Sequence, residues 1–322
     1  MRRFRKPAQP TIPIFRLTDF LFNQATMFFN STIEGLFQSR VILHSAAVDN
    51  HAAELGPREA EAAGRMVDKR LREFSTGRFC AHTALAALNP EYAAIEIPIG
   101  DNREPLWPEG CIGSITHDRK FALAVVSQDP HCLSLGIDLQ PFEYLSERVS
   151  ERIASEPEIA AMLQMLDEWV RDGVLKLPVP EDSDSEARRE PQSKGQDGEE
   201  NLQGLAACLL FSIKESIFKC YFPIHGIWID FKEATVFEPA MEPVLKVPTE
   251  PICTASYSFS FKTSVFERMR DKGAVLASDV KLPAAADNSD GSELTESIFH
   301  GRVLITADYV VSSAELVRRV SL

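Results

Sequence analysis

Along residues 209–222, LLFSIKESIFKCYF, apolar side chains recur on nearly every side of a helix. At about 100° per residue, Ser212, Glu215, Ser216 and Lys219 fall into one narrow stripe. Leu209, Leu210, Phe211, Ile213, Ile217, Phe218 and Tyr221 cover most of the remainder, and Lys214 projects away from the stripe. A helix apolar on most sides belongs in a core. Charges there are costly unless they are paired or bound to something. The plainest account is an i,i+4 pair of Glu215 and Lys219 on a thin solvent-facing edge; the other is a bound ligand.

The same patterning predicts the remaining elements. Residues 56–88 are strongly helical, opened by Pro57, with a break at 75–77 where Ser75 or Thr76 caps a second helix. NREPLWPEGCIGS reads as loop from its prolines and glycines. Residues 121–126 and 133–140 read as two strands joined in a hairpin by SQDPHC, and 143–176 return to helix. Residues 226–237 read as strand and turn, and 257–265 and 301–311 as further strands, with a polar loop at 278–297. The pattern is α+β, with a helix-and-hairpin theme in each half. It divides into a basic, Phe-rich extension over 1–35, an N-terminal half over 36–135 and a C-terminal half over 136–322. Within the latter, 178–204 is polar, has almost nothing to bury and is expected to be disordered.

Charge narrows the class. The net charge is −13, and residues 142–200 hold 16 Asp/Glu against 7 Lys/Arg. That argues against nonspecific nucleic-acid binding, which needs a basic face. No run of 18 apolar residues suits a membrane span, and Arg16, Asp19, Asn23 and Gln24 interrupt any secretory h-region. The six cysteines show no metal spacing and are expected to be reduced, buried thiols of a cytoplasmic protein.

In LGIDLQ, strand alternation puts Asp138 and Gln140 on one face with Gly136, opposite Ile137 and Leu139. An aspartate in mid-strand goes against propensity; it marks either a solvated edge or a hard oxygen ligand for Mg²⁺, with Glu215 as second carboxylate. Gly113, Ser114, Thr116 and His117, read as a loop before a strand, suit phosphate binding, though His117 could equally be structural. Arg70, Arg78 and Arg103 are candidate phosphate partners or ordinary surface arginines.

Taken in order, EFSTGRFCAHTAL, REPLWPEGCIGSITH, LGIDLQ and FSIKESIFK closely resemble the 4′-phosphopantetheinyl transferases, in particular the siderophore-synthetase branch of the larger, single-chain class. The resemblance covers roughly 36–237, apart from 178–204. It implies two similar halves related by a pseudo-twofold, with coenzyme A as co-substrate and Mg²⁺ (or Mn²⁺) in the cleft between them. Arg70, Arg78, Arg103, Ser114, His117 and Lys214 would bind coenzyme A. Asp138, Glu215 and Gln140 would hold the metal, and Asp138, Glu215 and Lys219 would be catalytic. The implied reaction moves the phosphopantetheine arm of coenzyme A to a serine of an apo acyl or peptidyl carrier protein, releasing adenosine 3′,5′-bisphosphate. A monomer is expected.

Two departures qualify the resemblance. Gln140 stands where the family usually has Glu, removing one negative charge from the metal site. Asp118 follows His117 where a small residue or Cys is common, which would put a carboxylate near the phosphates. The alternative reading is a catalytically impaired regulatory protein that binds coenzyme A or the carrier. Asp138, Lys214, Glu215 and Lys219 together favour the enzyme.

Overall fold

The computed structural model describes residues 30–177, 197–242, 245–246, 251–262, 264–265, 267–268, 299–306 and 308–317. Two antiparallel sheets, each carrying one long helix, make an α+β protein. In the N-terminal half, β1 (Ile42–Ala47), β2 (Ile112–His117) and β3 (Phe121–Ser127) form a sheet ordered β1-β3-β2. A short helix, α1 (Pro57–Ala63), precedes the long α2 (Asp68–Leu88). Small side chains bring α2 close to the sheet: Cys80, Ala81 and Ala84 pack with Ala122, Ala124 and Val126. At Gly77 an added Cβ would lie 3.0 Å from Ile115 Cγ2.

The C-terminal sheet is ordered β4-β9-β8-β7-β5, from β4 (Cys132–Pro141), β5 (Ala234–Met241), β7 (Pro251–Phe261), β8 (Phe299–Ile305) and β9 (Tyr309–Val317). The two-residue β6 (Leu245–Lys246) pairs with β7. Helices α3 (Glu147–Ile153) and α4 (Glu156–Arg171) support the long α5 (Asp197–His225), and their apolar faces merge with the sheet in one core that includes Met162, Leu166, Leu209, Ile213, Tyr257 and Phe259. A second core lies between the halves, where Leu135, Ile137 and Leu139 of β4 meet Leu123 and Val125 of β3.

Several sequence expectations change. The helix break falls at 64–67, not 75–77. Ser75 and Thr76 are buried inside α2 and serve the loop after β1: His51 N donates to Ser75 Oγ, and Thr76 Oγ1 both accepts from Asp49 N and donates to Asp49 O. The strands at 121–127 and 132–141 are not a hairpin, because β4 pairs with β9 in the other sheet. The hairpin is β2–β3, so residues 113–117 are strand rather than loop. The stretch 301–311 contains the turn between two strands, β8 and β9. Residues 226–230 form no strand; a 3-10 turn at Phe231–Glu233 leads into β5.

Helix α5 reaches back to Asp197, so the expected disordered segment is helical over 197–204. Its remainder, 178–196, and the loop at 278–297 lie outside the described residues, as do residues 1–29. The end of the expected extension is tied in: Ile33 is buried in the core between the halves, beside Leu36 and Phe37 of the N-terminal half. Gln38 N, Ser39 N and Ser39 Oγ all donate to the Glu315 carboxylate of β9. All six cysteines are free and buried, and burial lifts the thiols of Cys80 and Cys208 to about 12. No described helix is long and apolar enough to cross a membrane.

Candidate active site

Strand β4 ends its sheet, so part of its backbone has no neighbouring strand, and buried N–H groups must find acceptors elsewhere. Two hydroxyls of β2 supply them: Ile137 N donates to Ser114 Oγ (3.2 Å) and Leu139 N to Thr116 Oγ1 (3.1 Å). Ser114 and Thr116 therefore stitch the two halves together.

Helix α5 crosses β4 backbone to backbone. A Cβ on Gly136 would stand 2.0 Å from Ser216 O and 2.6 Å from Cys220 N, so only glycine allows this approach. The contact sets Lys219 over Asp138, with Nζ 2.6 Å from Oδ1. The polar stripe of α5 thus faces inward. Ser212 bonds to Ser312, Ser216 lies within reach of Tyr257 Oη, and Glu215 forms no ion pair with Lys219 among the described residues.

The Asp138 carboxylate is 3% exposed and asymmetric. Oδ1 accepts from Lys219 Nζ and from Thr116 Oγ1 (3.2 Å), whereas Oδ2 is buried without a hydrogen-bond partner among the described residues. Burial raises the pKa of the neighbouring Glu215; the Lys219 charge opposes this and the Asp138 charge adds to it. An unpartnered anionic oxygen at such depth suits a cation. Mg²⁺ needs only one or two carboxylates, completing its shell with water and phosphate oxygens. Asp138, Glu215 and the half-buried Gln140 on the same strand face offer such a set. No group of three or more His, Cys, Asp or Glu gathers into a metal cluster among the described residues.

At the end of β2, Arg70 Nη1 lies 2.6 Å from His117 Nε2, and Glu73 Oε2 lies 3.5 Å from Arg70 and 3.9 Å from His117 Nδ1. Burial, then the Arg70 charge, lowers the His117 pKa against the pull of Glu73. The imidazole is therefore held neutral, with Nε2 accepting from the guanidinium. Sequence reasoning missed Glu73, which carries no motif of its own beyond its place one turn after Arg70.

Other candidates stand elsewhere. Arg78 is 5% exposed, lies over the Phe74 ring and faces the buried Glu59, with Nε 3.6 Å from Oε1. Burial, only partly offset by Glu59, brings its pKa down to about 10. Lys214, expected at the phosphates, is buried on the far side of α5. Its ammonium donates to Glu158 Oε1 (2.8 Å), Ile153 O (2.9 Å) and Phe231 O (2.9 Å), which takes every proton it has. The hydroxyl of Ser114 is likewise engaged at the seam. Asp118 serves its own turn and Tyr309: Lys120 N and Phe121 N donate to Oδ1, and Tyr309 Oη donates to Oδ2. Arg103 is exposed in a tight turn at φ 71°, a left-handed conformation unusual for a side-chain-bearing residue.

A family model described as the 4′-phosphopantetheinyl transferase N-terminal domain matches residues 58–127, and one described as the 4′-phosphopantetheinyl transferase superfamily matches 134–270. The chain is 33% identical over 197 residues to 4′-phosphopantetheinyl transferase Svp of Streptomyces mobaraensis, covering 61% of this chain and 65% of that protein. It is 31% identical to PptT of Mycobacterium tuberculosis, covering 56% and 63%. It is 32% identical to enterobactin synthase component D of Salmonella typhi, covering 50% of each. The matches to the first two of these relatives thus span a little under two thirds of their length. The chain belongs to the 4′-phosphopantetheinyl transferase superfamily, in its two-domain form.

Proposed function

We propose that this protein transfers the 4′-phosphopantetheine arm of coenzyme A to a serine of an apo acyl or peptidyl carrier protein. The observation that carries this reading is the Asp138 carboxylate, held through one oxygen by Lys219 and Thr116 and left open at the other, in a chain of this family. Asp138 and Glu215 would hold Mg²⁺, with Gln140 as a neutral third group. Bound there, the ion would offset charge on the pyrophosphate of coenzyme A as the transferred group moves.

The chain's own groups do the rest. Arg70 and His117 sit together at the end of β2 and would take phosphate oxygens, and the exposed Arg103 is offered for the same role. The carrier serine oxygen attacks the β-phosphorus, and the bond to adenosine 3′,5′-bisphosphate breaks with its electron pair leaving on that product. Glu215, made more basic by burial, accepts the serine proton. Lys219 orients Asp138 through its bond to Oδ1. Arg78 and Lys214 contribute through the scaffold, from the interior positions described above. We infer a monomer acting in the cytoplasm.

The test is mass spectrometry of apo carrier proteins incubated with the enzyme, coenzyme A and Mg²⁺. A phosphopantetheine-sized gain on the carrier serine is expected. Coenzyme A binding with no gain on any carrier would instead favour the regulatory reading, to which Gln140 lends its one argument.

A further inference from the structure

Thr116 Oγ1 touches both halves of the molecule and both charged groups of the seam. A hydroxyl has one proton to give and two lone pairs. Here Leu139 N and Lys219 Nζ (3.3 Å) fill the lone pairs, which leaves Asp138 Oδ1 to receive the proton. We propose that Thr116 is a positioning residue that fixes the Asp138 carboxylate so that its unpartnered oxygen faces the metal. This rests on the transferase reading of the site.

The geometry argues it in two ways. Among the described residues Oδ1 has two donors and Oδ2 none, so the carboxylate cannot rotate without breaking both bonds at once. Ser114 provides the contrast. Two residues back on the same strand, it makes the equivalent bond to β4 through Ile137 N, yet makes no bond to Asp138. Stitching the halves therefore needs only a hydroxyl acceptor, whereas the proton of Thr116 has a separate task. Thr116 is also held at fixed register by pairing with Leu123 of β3, and the next residue is His117. One hydroxyl thereby sets the metal ligand of the C-terminal half against the phosphate-facing residues of the N-terminal half.

The test compares Thr116→Val with Thr116→Ser in the full chain. Mn²⁺ binding is titrated by electron paramagnetic resonance without coenzyme A or carrier, beside the Mg²⁺ dependence of transfer. Thr116→Val keeps the branched shape and loses the hydroxyl. It should weaken Mn²⁺ binding about tenfold or more, while Thr116→Ser stays within about threefold of the native protein. Should Thr116→Val fail to fold, Thr116→Cys replaces it, since a thiol is a poor donor and acceptor. Native Mn²⁺ affinity in the hydroxyl-free variant would overturn the proposal, as would equal weakening in Thr116→Ser or a native protein that binds no Mn²⁺. A native protein that binds Mn²⁺ but transfers nothing would defeat the transferase reading, and the Mn²⁺ titrations of the variants would still decide the role of Thr116.

Discussion

Helix α5 carries two lysine–carboxylate pairs, Lys214 with Glu158 and Lys219 with Asp138, and they differ in what is left over. Around Glu158 every oxygen is used: Oε1 accepts from Lys214 Nζ and Val236 N, and Oε2 from Ser155 N and Ser155 Oγ. Lys214 sends its other protons to two backbone carbonyls. That cluster is closed, and it joins α4, α5 and the turn before β5. Around Asp138 one oxygen is saturated and the other has no partner among the described residues. A closed buried network stabilises a fold, whereas an open one leaves chemistry available.

The comparison breaks most sharply at the open pair. Asp138→Ala removes the unpartnered oxygen together with its tether, and losing a metal ligand removes several kcal/mol of transition-state stabilisation. Transfer should fall on the order of 10³-fold, with the denaturant midpoint close to that of the native chain. Initial rates with an apo carrier, beside urea unfolding, decide it. Near-normal turnover would mean that the orphan oxygen holds nothing used in the reaction.

At the closed pair the roles reverse. Lys214→Ala leaves Glu158 charged and buried without its cation, and breaking such a pair costs about 3–5 kcal/mol. Whatever protein remains folded should keep its metal affinity, because no metal candidate touches Lys214. Chemical denaturation measures the loss, and an unchanged midpoint would show the cluster to be dispensable.

A third change acts on both pairs through the helix that bears them. Gly136→Ala places a Cβ where Ser216 O now stands 2.0 Å away, and two backbones must part to admit it. Overpacking of this kind costs about 1–3 kcal/mol. It should also lengthen the Lys219–Asp138 contact, so Mg²⁺ affinity falls along with the unfolding midpoint. A variant that loses stability and keeps its Mg²⁺ affinity would show that the helix shifts without moving Lys219.

These relations were unevenly visible in the amino-acid order. Local patterning was sufficient for the long α5, for β3 and β4 and for parts of β5 and β7, because burial on one face writes itself into spacing; it missed β1 and ran β8 and β9 together. It suggested Asp138 and Glu215 as paired carboxylates, and the resemblance to a family supplied the rest of the expected site. It could not show that β4 pairs with β9 rather than with β3, since alternation describes a strand and not its partner. The same blindness turned Ser114 and Thr116 into loop residues. Their alternation across GSITH puts two hydroxyls on one face, which in hindsight suits an acceptor-poor strand edge. Lys214 stands away from Asp138 for another reason: adjacency to Glu215 in sequence sends the two side chains about 100° apart on the helix, and Lys214 meets Glu158.

The smallest effect concerns Glu215, and its sign follows from burial. Its folded pKa lies above the ordinary value of 4.5 because the buried carboxylate is poorly solvated, with Lys219 recovering part of the loss. Between 4.5 and that raised value the native state binds more protons than the unfolded chain, so stability declines as pH rises through the window. Above it the penalty is constant; below 4.5 it vanishes. Glu215→Gln has no charge to bury. In chelator, it should therefore unfold at a slightly higher urea concentration than the native chain at pH 8, and the difference should close at pH 4. Adding Mg²⁺ at pH 8 should reverse the order, because the cation stabilises only the protein with a carboxylate to offer. If the native chain were the more stable one in chelator at pH 8, Glu215 would already have a cationic partner, and the open character assigned to this end of the helix would be wrong.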